Sequence, residues 1–83
     1  MKAPSQIEIM QKIETIWHAV LGMPIDGYDE NFFVLGGNSI QAMEITNRIN
    51  ESFNLKLEMS IADFFDALTI ENIAKWITVV HTD

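Results

Sequence analysis

Apolar residues recur at helical spacing in successive stretches of this chain, and short polar residues stand where each stretch begins. Ile9, Met10, Ile13, Ile16, Trp17 and Val20 form the first buried stripe. Ser5 and Glu8, three residues apart and just ahead of it, read as a capping box that satisfies two orphan N–H groups. The helix they open runs to about Leu21, with Gly22 as its stop. A second helix is expected from Ser39 to about Phe53, with Asn54 taking a left-handed cap. At roughly 100° per residue its Ala42, Ile45, Thr46, Ile49 and Phe53 share one core-facing arc. Ile40 lies almost opposite that arc, and Met43 falls to its side near Ser39, Asn47 and Asn50. Ser60 with Asp63 starts a brief third helix through Phe65. Thr69 caps a fourth, whose apolar positions are Ile70, Ile73, Ala74, Trp76, Ile77 and Val80, with Leu68 and Ile73 placed for a hydrophobic staple.

The connections have a different pattern. From about Gly22 to Asn38, a stretch containing Pro24 and Gly27, there is no periodicity, and so long a connection is usually functional or folded onto the domain. Ile25, Tyr28, Phe32, Phe33 and Leu35 argue that it is tucked inward, with Asp26, Asp29 and Glu30 facing outward. Leu55, Leu57 and Met59 alternate through a short extended link. No stretch reads as a pair of strands. The pattern predicts an all-α fold, a small four-helix bundle of three longer helices and one short third helix, with a long first loop. Residues 1–83 make one domain, with a helical core of about 5–80.

Composition narrows the function. Eighty-three residues can bury roughly 60% of their unfolded surface. Twelve acids against five bases give a formal charge of −7, which a nucleic acid would repel. Basic protein partners fit better, although such a charge also serves solubility alone. No apolar run reaches membrane-spanning length, Met1-Lys2-Ala3-Pro4 has no signal-peptide core, and cysteine is absent. A cytoplasmic monomer is expected.

The candidate chemistry lies in Gly36-Gly37-Asn38-Ser39-Ile40. The glycines permit a sharp turn and clear space, and Asn38 with Gln41 forms a second capping box. Ser39 then takes the first helical position, where free N–H groups and the helix dipole favour an anion. Exposed apolar residues beside it, Ile40 and Met43, suit docking, methionine being adaptable to several surfaces. Other chemistry finds no support. The motif lacks the closing glycine of a nucleophile elbow, and no histidine is an evident base for Ser39. His18 reads as a surface residue of the first helix, and His81 belongs to a tail expected to fray. Gly36-Gly37 is not followed by a lysine as in a P-loop, Asp26 to Glu30 lacks EF-hand spacing, and two distant histidines make no zinc site. No catalytic residue and no metal ligand is assigned.

Phe32-Phe33-Val34-Leu35-Gly36-Gly37-Asn38-Ser39-Ile40 resembles the attachment motif of peptidyl carrier proteins, the thiolation domains of non-ribosomal peptide synthesis. Asp29-Glu30-Asn31 ahead of it and Phe65-Asp66-Ala67-Leu68-Thr69-Ile70 further on resemble the same family, so the likeness extends from the first helix to Val80. It implies an acyl-carrier-protein-like fold with 4′-phosphopantetheine, drawn from coenzyme A, attached covalently to Ser39, flanked by Gly37 and Asn38. An amino acid or peptidyl group would ride on its thiol as a thioester, with catalysis left to separate enzymes. Implied partners are a phosphopantetheinyl transferase, an adenylation enzyme, and condensation, thioesterase or tailoring enzymes, meeting a surface that includes Ile40, Met43, Asn47 and Ile61. Asn38 stands where such carriers often have histidine or aspartate, and Leu68 replaces a frequent proline. The second helix has only Glu44, Arg48 and Glu51 as charges, a thin acidic face for a fatty-acid carrier. Acyl carriers of polyketide or fatty-acid type, and an unmodified helical interaction module, are the competing readings. The short ends suggest a free-standing, type II carrier rather than a domain cut from a synthetase.

Overall fold

In the computed structural model, which describes residues 5–81, four helices follow one another: α1 Gln6–Leu21, α2 Ser39–Ser52, α3 Ile61–Ala67 and α4 Ile70–His81. Three of them start on reciprocal capping boxes, Ser5 with Glu8, Asn38 with Gln41 and Ser60 with Asp63. At the fourth start, Thr69 Oγ1 accepts from the Asn72 N–H at 3.0 Å. α1 ends at Gly22 in the left-handed conformation, φ 73°, its N–H bonded to the His18 carbonyl. His81 closes α4, but its side chain and residues 1–4, 82 and 83 lie outside the described residues, as does the expected fraying there.

α1 packs on both α2 and α4, and short α3 bridges α2 to α4. Trp17 is fully buried at the centre. Phe32 meets it edge-on at 5.5 Å between ring centroids, and Phe64 meets Phe32 edge-on at 5.0 Å. Pairs in this geometry contribute about 0.5–1.5 kcal/mol beyond the area they bury. Ile9, Met10, Ile13 and Ile16 from α1, Ala42, Ile45 and Ile49 from α2, and Ile70, Ile73, Ala74 and Ile77 from α4 fill the space around them. Val20, Phe53, Trp76 and Val80 are half-buried at the margins.

The long connection is folded onto the bundle by specific bonds. The Phe32 N–H donates to the Leu68 carbonyl and the Glu71 N–H to the Tyr28 carbonyl, both at 2.8 Å. The Tyr28 hydroxyl donates to Glu14 Oε1 at 3.1 Å. Desolvation first, then that hydrogen bond and the nearby carboxylate charge, raise the Tyr28 pKa above its ordinary value.

Several expectations need correction. Phe33 is not tucked in: it is 47% exposed and stacks on Phe65, because Phe32 already occupies the inward position of the pair. Glu30 is half-buried rather than outward, drawn in as the bond from Phe32 to Leu68 pulls its segment onto the bundle. Asn54 is not a left-handed cap. α2 ends at Phe53 with extended backbone (φ −117°), which leaves that ring against the core and under the Lys12 ammonium at 5.0 Å. The link after α2 bends at Lys56 and Leu57, so Leu57 points to solvent while Leu55 is half-buried and Met59 buried. α3 continues two residues past Phe65, to Ala67.

Leu68 caps α3 in the left-handed region at φ 62°, the one described non-glycine residue with positive φ. That conformation costs roughly 1–2 kcal/mol for an L-residue. Its N–H donates to the Phe64 carbonyl at 3.0 Å. Proline, fixed near φ −65° and lacking an N–H, could not take this position.

Candidate functional site

The segment leading into α2 is a series of tight turns built on Asn31. Asn31 Oδ1 accepts from the N–H groups of Phe33 at 2.8 Å and Val34 at 3.3 Å, and its carbonyl accepts from Leu35 at 3.1 Å. Phe33 and Phe32 carbonyls then accept from Gly36 and Gly37. Gly36, at φ 94°, has a backbone that L side chains rarely adopt. Gly37 is required for a different reason. A Cβ there would lie within 2.5 Å of the Phe32 ring, so the backbone can pass the buried aromatic only without a side chain.

Asn38 caps α2 as the sequence predicts. Its Oδ1 accepts from the Gln41 N–H at 2.9 Å, and Gln41 Oε1 accepts from the Asn38 N–H at 3.1 Å. Ser39 follows as the first helical residue, exposed. Among the described residues none engages the Ser39 hydroxyl. At a helix start the N–H groups of Ser39 and Ile40 have no carbonyl one turn back to receive them. The other helices each place a carboxylate in the first turn, Glu8, Asp63 and Glu71. α2 places none. Its neutral Asn–Gln box closes the helix start without supplying negative charge, so no side chain of the first turn takes up the favourable interaction of the dipole with an anion, typically about 0.3–1 kcal/mol.

Ile40 is 75% and Met43 53% exposed, and Asn47 also faces solvent. Met43 and Asn47 are brought together with half-buried Ile61 around a shallow cavity of about 200 Å³ between α2 and α3, which Thr46 and Met59 also line. Ile40 is not part of that lining. Asn50 holds the cavity wall in place, its amide donating to the Met59 carbonyl at 2.9 Å and accepting from the Met59 N–H at 2.8 Å. Val34, 82% exposed beside the serine motif, was not singled out from the sequence, and Phe33, expected inward, joins it on the surface. The run Phe-Phe-Val-Leu was the available signal, since one tight turn cannot bury four consecutive side chains.

His18 is exposed on α1. No group of His, Asp and Glu among the described residues is arranged to hold a metal ion. No described helix is long and apolar enough to cross a membrane.

Known proteins share this arrangement. A stretch of gramicidin S synthase 2 from Brevibacillus brevis is 37% identical over 75 residues, covering 90% of this chain and 2% of that synthase. The chain thus spans about 2% of the length of such curated relatives. BlmI, a type-II acyl-carrier-protein from Streptomyces verticillus involved in bleomycin biosynthesis, superposes with a TM-score of 0.85 at 32% identity, over 93% of this chain and 90% of BlmI. The structure of the phosphopantetheine transferase Sfp in complex with coenzyme A and a peptidyl carrier protein gives a TM-score of 0.79 at 26% identity, over 95% of this chain and 99% of the matched one. The phosphopantetheine attachment site family matches residues 11–77, from mid α1 through Gly36-Gly37-Asn38-Ser39 to the core of α4. This four-helix chain therefore belongs to that family, as a domain similar to the thiolation domains of non-ribosomal peptide synthetases, whose cofactor is 4′-phosphopantetheine derived from coenzyme A.

Proposed function

We propose that Ser39 is the residue that carries 4′-phosphopantetheine, and that this chain is a peptidyl carrier moving an amino acid or peptidyl group between separate enzymes. The observation that carries this reading is the unengaged, exposed hydroxyl of Ser39 at a helix start that has no carboxylate in its first turn. In the attachment step Ser39 Oγ forms a new bond to the phosphorus bearing the pantetheine. The bond from that phosphorus to the adenosine bisphosphate part of coenzyme A breaks, and the hydroxyl proton leaves to a base of the transferase. The Ser39 and Ile40 N–H groups and the α2 dipole would favour the negative charge of a phosphodiester on Ser39. Asn38 and Gln41 keep that helix start closed, and Gly37 lets the backbone pass Phe32. Once attached, the arm supplies a thiol that holds the cargo as a thioester.

The carrier itself catalyses none of these steps. A phosphopantetheinyl transferase modifies it, an adenylation enzyme loads it, and condensation, thioesterase or tailoring enzymes receive its cargo. Ile40, Met43, Asn47 and Ile61 form the face that meets them, with Val34 and Phe33 extending it. The fatty-acid alternative is weakened by α2 itself: Glu44 is paired with Arg48 at 2.7 Å, leaving little acidic surface there for a basic enzyme.

Incubation with Sfp and coenzyme A, followed by intact-mass measurement and tryptic mapping, tests the assignment. The wild type should gain one phosphopantetheine on the peptide containing Ser39. Ser39→Ala should gain none and keep the helical circular dichroism of the wild type, because an exposed first-turn side chain contributes little packing. Modification at Ser5, Ser52 or Ser60 would sink the assignment, and an unmodified wild type would favour the interaction-module reading.

A further inference from the structure

We propose that Leu68 is a positioning residue for the modification of Ser39, acting through Phe32 and Gly37. The proposal rests on the reading of Ser39 as the attachment residue. Leu68 is half-buried against the core, and its strained left-handed backbone is the turn between α3 and α4. In that conformation its two polar groups serve two elements. The N–H reaches back to the Phe64 carbonyl at 3.0 Å and closes α3, while the carbonyl receives the Phe32 N–H at 2.8 Å.

Phe32 passes this placement on to the serine. Its ring is wedged edge-on between Trp17 and Phe64, and its face fills the space where a side chain on Gly37 would stand. Its carbonyl also accepts the Gly37 N–H at 3.1 Å. Gly37 is followed at once by the capping residue Asn38 and by Ser39. A displacement of Phe32 therefore moves the start of α2, and with it the hydroxyl that must meet the phosphorus in line. The second bond of the clamp, from the Glu71 N–H to the Tyr28 carbonyl at 2.8 Å, fixes the loop four residues earlier. Leucine at this junction supplies a half-buried side chain that glycine lacks and a turn that proline cannot make.

The test compares Leu68→Gly with Leu68→Pro in the full chain, using Sfp and coenzyme A and measuring kcat and KM for the carrier. Glycine accepts the left-handed turn and keeps both hydrogen bonds, so kcat should stay close to wild type even though the melting temperature falls. Proline forbids the turn and removes the N–H, so kcat should fall roughly tenfold or more with KM little changed, as expected of a displaced nucleophile. The amide resonances of Gly37, Asn38 and Ser39 should shift in Leu68→Pro and not in Leu68→Gly. Equal kcat in the two variants, whether both normal or both reduced, overturns the proposal; both reduced would mean that only the leucine side chain matters. Should Leu68→Pro fail to fold, hydrogen exchange on the wild type decides. Protection of the Phe32 amide supports the clamp, and exchange at the rate of an open loop amide overturns it. A wild type that Sfp leaves unmodified sinks the Ser39 reading and this proposal together, whereas a modified wild type with indifferent Leu68→Pro sinks this proposal alone.

Discussion

Gly37 shows how one residue can be dictated by a contact that the local sequence does not display. The motif Gly36-Gly37 suggests a sharp turn, and Gly36 does adopt a left-handed backbone at φ 94°. Gly37 has no such backbone; it is glycine because the Phe32 ring occupies the Cβ position. Gly37→Ala is therefore an overpacking substitution and should destabilise the fold by about 1–3 kcal/mol in urea denaturation. Combining it with Phe32→Leu should cost less than the sum of the two single changes, because the smaller side chain makes room for the methyl. Strict additivity in that cycle would show that the two residues do not share the space. Ser39 itself, five side chains along from Val34 and exposed, carries no such packing constraint.

Helix starts are the elements most fully written in this chain. Three reciprocal boxes follow from residues three apart, and the pairing is visible without any tertiary information. The box on α1 has a pH signature. The Ser5 backbone N–H first, and the Ser5 hydroxyl second, hold the Glu8 pKa below its ordinary value of 4.5. A depressed folded-state pKa means that the unfolded chain binds the proton more tightly. The stabilisation is then complete above about pH 4.5 and is lost as pH falls through the lower folded value. Glu8→Gln should flatten the loss of stability in this acidic window and leave the slope near neutrality unchanged. An acid limb identical to wild type in thermal melts below about pH 4.5 would remove Glu8 from the explanation. Helix ends are less legible: α2 stops at an extended Phe53 and α3 at a strained Leu68, neither of which is a residue that stops helices by its own preference.

For the whole molecule, the bundle divides α2 into a buried and an open side, and the two should respond differently to substitution. Ile49 is fully buried, so Ile49→Ala should cost about 2–5 kcal/mol. Met43 stands at the rim of the cavity between α2 and α3, and Met43→Glu should change stability by no more than about 0.5 kcal/mol. The same Met43 change should lower aminoacyl loading by an adenylation enzyme, where Ile49→Ala in its folded fraction should not. Comparable destabilisation by the two changes would reverse the assignment of faces. The charge of −7 would raise the encounter rate with any partner that is basic, and salt would screen that effect.

Sequence by itself determined the helical class, the three capping boxes, the stripes of α1 and α4, the core arc of α2 and the serine motif. Each depends on periodicity or on partners within four residues, which a linear reading contains. The identity of the buried member in Phe32-Phe33, the inward turn of Glu30 and the outward turn of Leu57 came only with the tertiary structure. Their signals are long-range: Phe32 bonds to Leu68 and packs on Trp17 and Phe64, residues far away in the chain. The cavity that unites Met43 and Asn47 with Ile61 likewise needs α3 laid beside α2, and Asn50 holding Met59 between them. The left-handed Leu68 was hidden for the same reason. No local preference puts leucine there, and only the combined pull of α3, α4 and the loop before Ser39 makes that strained turn the lowest in free energy.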